Sequence, residues 1–225
     1  MSGRFRAFLF DAGGIFVLPD PTVVAPLLAY YGGALDLGAH VRAHYAGMAV
    51  KSHGGHAERD WSAYNIAYVQ AVGVPADAET RAAEVLGRTR NAWLWRWPIA
   101  DSVETLRTLH KREVPIGVVS NASGQIEQVL RDSAVCQVGE GPGVPVRVVV
   151  DSDVVGVAKP DPAIFDFALP FFEGIAPAEI AYVGDSVVMD VVGARAAGLH
   201  PILLDPFDDH PGADFERITA LSHLL

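Results

Sequence analysis

The chain has 225 residues, half of them hydrophobic, with 27 acidic against 17 basic side chains and a formal net charge of −10. That length supports one buried core, or one core carrying an insertion, and the negative charge argues against nucleic acid and anionic membranes as partners. No apolar stretch approaches the ~20 residues of a membrane helix, and the single cysteine, Cys136, excludes an internal disulfide framework and fits a reducing, cytoplasmic setting.

The first apolar run, FRAFLF (5–10), is short and breaks at Asp11, so it reads as a strand and not a leader. From about residue 21 to 94 the pattern is helical, with segments near 23–30, 36–49, 58–72 and 77–94 punctuated by YYGG, HGGH and VGVP. The aromatic stretch WLWRW (93–97) reads as packing where this insertion returns to the core. DSVETLRTLHKRE then predicts a helix capped by Asp101 with Glu104 three residues on, its inner face built from Val103, Leu106 and Leu109. Strands are expected at VPIGVVS (114–120), VRVVV (146–150), IAYVG (180–184) and PILLD (201–205). Between them, KPDPAIFDFAL offers Asp161 as a cap and Pro162 at the first helical position, and DSVVMDVVGARAAGL ends on Gly198.

Apolar runs alternating with helices predict an α/β fold, a doubly wound parallel sheet covered on both faces. The expected organisation is a core of residues 1–20 and 95–225, with residues 21–94 inserted as a small helical domain over the carboxyl end of the sheet. Ligands of such sheets sit at the carboxyl ends of strands. Asp11, Ser120 with Asn121, Lys159 and Asp185 all fall at or just beyond such ends. Together they offer a nucleophile or metal ligand, a hydroxyl donor, a cation and a second metal ligand.

FLFDAGG, VVSNA, VAKPDPAIF and YVGDSVVMDVVGARAAG stand in the order of the four motifs of haloacid dehalogenase-like (HAD) hydrolases. The chain resembles that superfamily over nearly its whole length, with the insertion placed like a type C1 helical cap. The resemblance implies that Asp11 is the nucleophile of an aspartyl-phosphate mechanism and that Mg²⁺ is the cofactor. Asp11, Asp185 and the backbone carbonyl of Gly13 would hold the ion, and Asp190 would hold a metal-bound water or orient Lys159. Ser120 and the main chain at Asn121 would bind the phosphoryl group, and Lys159 would balance its charge. The implied substrate is a small phosphorylated metabolite, and the protein is expected as a monomer or homodimer.

One position departs from the pattern. Phosphatases of this superfamily carry an aspartate two residues after the nucleophile, where this chain has Gly13, and losing such a general acid removes ~10²–10⁴-fold in rate. Ile15 replaces the Thr or Val common there and reads as packing. Two other chemistries also lack the acid. Haloacid dehalogenases do, but usually lose the metal-binding aspartate that GDSVVMD retains; phosphonoacetaldehyde hydrolases do, and form a Schiff base on a cap lysine, for which Lys51 is the candidate. His53, His56, Tyr64 and Asn65 are further cap polars near the expected pocket, and His53 or His56 is a candidate source of the missing proton. A third reading is an impaired phosphate-binding or interaction module.

Overall fold

A computed structural model describes residues 4–53 and 60–225. Alternation along strand β1 (Ala7–Phe10) sets the two faces of the sheet: Phe8 and Phe10 join one buried apolar cluster, Ala7 and Leu9 another. The chain continues through β2 (Val17–Pro19) into four helices, α1 (Pro21–Ala29), α2 (Leu37–His53), α3 (Ser62–Ala71) and α4 (Glu79–Thr89). It returns through β3 (Trp95–Pro98), which pairs antiparallel with β2. Then follow α5 (Ala100–Lys111), β4 (Ile116–Ser120), α6 (Ile126–Asp132), β5 (Cys136–Val138), β6 (Val144–Val146), β7 (Val149–Asp151) and α7 (Ser152–Val155). The last elements are β8 (Ile180–Gly184), α8 (Val192–Ala196), β9 (His200–Leu204) and β10 (Glu216–Ile218).

The main sheet has the order β10-β9-β8-β1-β4-β7, and every pairing in it is parallel. Strand order reverses around β1, which places the ends of β1, β4 and β8 side by side. Helices α5 and α6 cover the Phe8 face, with Val103, Leu106, Leu109 and Leu130 buried. Phe165, Phe172 and Ala194 cover the opposite face. Helices α1 to α4 enclose an apolar cluster of their own, including Leu28, Tyr64, Tyr68 and Leu86. Trp95 packs against this cluster and the Phe8 cluster alike, while Trp93 is exposed, so only part of WLWRW fills the junction.

Several expectations shift. VRVVV is not one strand: Val146 closes Val144–Val146, which pairs with β5 in a separate ladder, while Arg147 N–H donates to Ile116 O, Val148 O accepts from Val118 N–H, and Val149–Asp151 continues along β4. Strand β10 was missed because Glu-Arg-Ile carries no apolar run; as an edge strand beside β9 it needs none. Asp101 does not cap α5. Ile99 precedes that helix, its N–H donating to Phe16 O, and Asp101 in the first turn accepts from Ser222 N at 3.2 Å. Asp161 does cap the turn Pro162–Phe167, which is a 3₁₀ helix, and Gly198 takes a left-handed φ of 74° as expected. Ahead of α8, a widened π-type turn over Val187–Val191 brings Asp190 back under the end of β8.

Candidate active site

Asp11 leaves the end of β1 with Oδ1 accepting from Ala12 N–H at 2.7 Å. Its other oxygen lies 3.0 Å from Lys159 Nζ, and Ser120 at the end of β4 stands near enough to the same carboxylate to favour its ionised form. Lys159 is buried, not a solvated surface lysine. Its ammonium donates to Asp190 Oδ1 at 2.7 Å and to Tyr182 Oη at 2.7 Å. Asp190 spends its second oxygen on Ser186 N–H at 2.9 Å. A Cβ at Gly184 would overlap the Asp190 carboxyl, so this close return of the chain requires glycine.

The charges do not balance. Asp11, Asp185 and Asp190 each bring a carboxylate oxygen within 4.8 Å of the others, and among the described residues Lys159 supplies the ammonium that pairs with Asp11 and Asp190. Burial pushes the Asp11 carboxyl up to about 7; Lys159 and Ser120 act against the rise, and the charges of Asp190 and Asp185 add to it. Burial alone would lower the Lys159 ammonium, but Asp11 and Asp190 override it and hold it above its ordinary value. An excess of carboxylate oxygens, with no sulfur or nitrogen ligand in the cluster, suits a hard divalent cation such as Mg²⁺.

Asp185, at the end of β8, is reached from the inserted helices. His44 of α2 is buried, and its Nε2 lies 2.9 Å from Asp185 Oδ2. A carboxylate only accepts, so Nε2 donates to Asp185, and Nδ1 on the far side of the ring lies 3.0 Å from Tyr64 Oη. Burial keeps the Tyr64 phenol protonated by raising it well above its ordinary range. The neighbouring Tyr45 donates to Gly14 O at 2.7 Å. Gly14 has φ +70°, and a Cβ there would overlap Asp185 Oδ2. At Gly13 a Cβ would lie 3.2 Å from Trp95 Cζ3, so an indole ring faces the position where related phosphatases carry the second acid.

Asp11, Ser120, Lys159, Asp185 and Gly13 line one cavity of about 590 Å³, whose other wall includes Lys51, Trp61 and Arg90. Asn121 also borders it, but its side-chain amide is committed elsewhere: Oδ1 accepts from Lys159 N–H at 2.8 Å and Nδ2 donates to Lys159 O at 2.9 Å. Asp190 is absent from the cavity wall and lies beneath it, in contact with Lys159. Lys51 is buried, its Nζ 3.6 Å from the centroid of the Trp61 ring. Tyr64 and Asn65 serve the helices themselves, the first holding His44 and the second accepting from Arg90. The side chain of His53 and the whole of His56 lie outside the described residues.

The family description of haloacid dehalogenase-like hydrolases matches residues 5–198. The chain belongs to that family. The HAD-like hydrolase is 37% identical over 138 residues to haloacid dehalogenase-like hydrolase domain-containing protein 3 of Bos taurus, covering 57% of this chain and 51% of that protein. It is 34% identical over 137 residues to a phosphoserine phosphatase of Thermus thermophilus, covering 60% of this chain and 50% of that one. The matches thus span about half the length of these relatives. Among solved structures, YfnB of Bacillus subtilis bound to magnesium superposes with a TM-score of 0.61 over 98% of this chain and 97% of that one, at 18% identity, a likeness of fold.

His44, Tyr45, Trp61, Arg90 and Tyr182 were not among the candidates named from sequence. The spacing of His40 and His44, one helical turn apart in AHVRAHYAG, was the available signal for the first of them.

Proposed function

We propose that this HAD-like hydrolase is a Mg²⁺-dependent phosphatase of a small phosphorylated metabolite, with residues 21–94 forming a C1-type cap over a core of residues 1–20 and 95–225. The observation that carries the reading is the single cavity onto which Asp11, Ser120, Lys159 and Asp185 open. The phosphatase named among the relatives supports the same chemistry.

Asp11, Asp185 and the Gly13 carbonyl are the groups that would hold the ion. When bound it supplies Lewis-acid neutralisation of the carboxylate and of the phosphoryl oxygens. Asp190 acts on Lys159, because both of its oxygens are taken by Lys159, Tyr182 and the Ser186 N–H. Asp11 Oδ2 forms the bond to phosphorus as the ester oxygen departs with its electron pair, Ser120 donates to a phosphoryl oxygen, and Lys159 offsets the joint negative charge. Water then cleaves the aspartyl-phosphate, returning Asp11 and inorganic phosphate. Gly13 gives the leaving oxygen no proton, so leaving groups that depart as stable anions are preferred.

Lys51 supports this reading better than imine chemistry, since a seat on the Trp61 ring favours the charged ammonium and an imine-forming lysine must be neutral. With Mg²⁺ present, p-nitrophenyl phosphate and acetyl phosphate should be hydrolysed faster than sugar phosphates, and Asp11→Asn should reduce both to background. Equal inactivity of the two proteins would favour a phosphate-binding module instead.

A further inference from the structure

The cavity holds cations that phosphoryl transfer does not use. Arg90, just beyond α4, lies with its guanidinium 4.2 Å from the centroid of the Trp61 ring and 4.8 Å from that of Tyr64, and it donates to Asn65 Oδ1. Lys51 Nζ sits against the same Trp61 ring, 3.6 Å from its centroid. Among the described residues no carboxylate pairs with Arg90. Burial lowers its guanidinium from the ordinary value, and only the phenols of Tyr64 and Tyr68 act against that fall. A half-buried cation without a counter-charge has lost hydration that only an incoming anion can replace. The carboxylates lining the cavity, Asp11, Asp153 and Asp185, follow the ends of β1, β7 and β8, where Lys159 already answers Asp11, whereas Lys51 and Arg90 come from the inserted helical segment.

Resting on the phosphatase reading above, we infer that Arg90, with Lys51 beside it on Trp61, forms a second anion subsite, and that the substrate is a phosphate monoester bearing a carboxylate or second phosphate on its leaving portion. The planar guanidinium, set against the Trp61 and Tyr64 rings and oriented by Asn65, presents its remaining N–H groups as a fork suited to either oxyanion. Lys51 adds a second positive charge without fixing geometry.

Binding to the Mg²⁺-loaded Asp11→Asn protein tests this without requiring turnover. Calorimetric titration would compare 3-phosphoglycerate with glycerol 3-phosphate, and fructose 1,6-bisphosphate with fructose 6-phosphate. The doubly anionic member of at least one pair should bind about tenfold tighter or more. Which pair shows the preference identifies carboxylate or phosphate. Adding Arg90→Met should bring that ratio close to one, while Arg90→Lys, which keeps the charge and loses the fork, should retain part of it. Lys51→Met should narrow it less than Arg90→Met. Equal affinities within both pairs, no binding by any of the four, or a ratio untouched by Arg90→Met in protein that still unfolds cooperatively would each overturn the subsite. A surviving preference beside absent hydrolysis of p-nitrophenyl phosphate would retain the subsite and remove the phosphatase reading.

Discussion

Gly13→Asp restores the carboxyl that related phosphatases carry two residues after the nucleophile, and Trp95 stands in its way. A Cβ at this position would lie 3.2 and 3.3 Å from Trp95 Cζ3 and Cε3, against ~3.5–4.0 Å for relaxed carbon contacts. The ring must therefore withdraw by a few tenths of an ångström before the carboxyl group itself is placed. Trp95 has little freedom to do so, with the His44 ring 5.3 Å and the Trp61 ring 6.1 Å from its own, centroid to centroid. Overpacking of this kind costs ~1–3 kcal/mol, and a further negative charge beside Asp11 and Asp185 adds to an existing imbalance. Gly13→Asp alone should lose about that much stability in urea and gain far less than the ~10²–10⁴-fold a positioned acid supplies. Combining it with Trp95→Leu, which opens the space, should raise kcat/KM for glycerol 3-phosphate at least tenfold over Trp95→Leu alone, with p-nitrophenyl phosphate little changed. A single Gly13→Asp variant that gains a hundredfold with no loss of stability would refute the steric reasoning. A double variant that gains nothing, while still hydrolysing the activated ester, would show that the missing acid is not what limits the enzyme.

The electrostatics of the cluster give further expectations. Lys159→Met leaves the buried carboxylates of Asp11 and Asp190 without their cation, a loss of ~3–5 kcal/mol at neutral pH; unfolding should show the loss shrinking as the pH is lowered and Asp11 takes up its proton. In metal-free protein, Asp11, raised from 3.8 to about 7, stabilises the fold fully below pH 3.8 and loses that contribution as pH rises through 7. Mg²⁺ should reverse the trend, its stabilisation growing over the same interval as it displaces the Asp11 proton, and a magnesium effect independent of pH would contradict this. His44→Phe removes the hydrogen bond to Asp185 Oδ2 and should weaken Mg²⁺ binding by ~10–100-fold, measured by titration; unchanged affinity would mean that Asp185 is held without it.

Asp11 and Asp185 could be named from sequence because each follows a short apolar run, and a polar residue at the end of a parallel strand has few places to go; Lys159, beyond α7, and Asp190, in the turn ahead of α8, do not stand at a strand end, and Asp190 was named through the family motifs. The sheet was legible for the same reason, and it failed where apolar character and pairing part company, as at VRVVV, or where an edge strand needs no apolar run, as at Glu216–Ile218. His44 and Arg90 were hidden because their positions depend on how α2, α3 and α4 pack on one another and over the strand ends; the His40–His44 spacing marks only a helical face, and nothing local marks Arg90 beyond the end of α4. Asp101 was misread as a cap because the start of α5 is fixed from afar, by Ile99 donating to Phe16 O. The role of Trp95 was half visible: packing at the junction was expected, but its facing Gly13 was not.

The amide of Asn121 grips the backbone of Lys159 at both its N–H and its carbonyl, across 38 positions of sequence. The ammonium is thus anchored to the tip of β4 and not to the path the chain takes between the two residues. Lengthening the Gly-rich excursion at 139–143 should leave the cation where it is, so this stretch offers an attachment point for a label or a grafted segment at no cost to the chemistry.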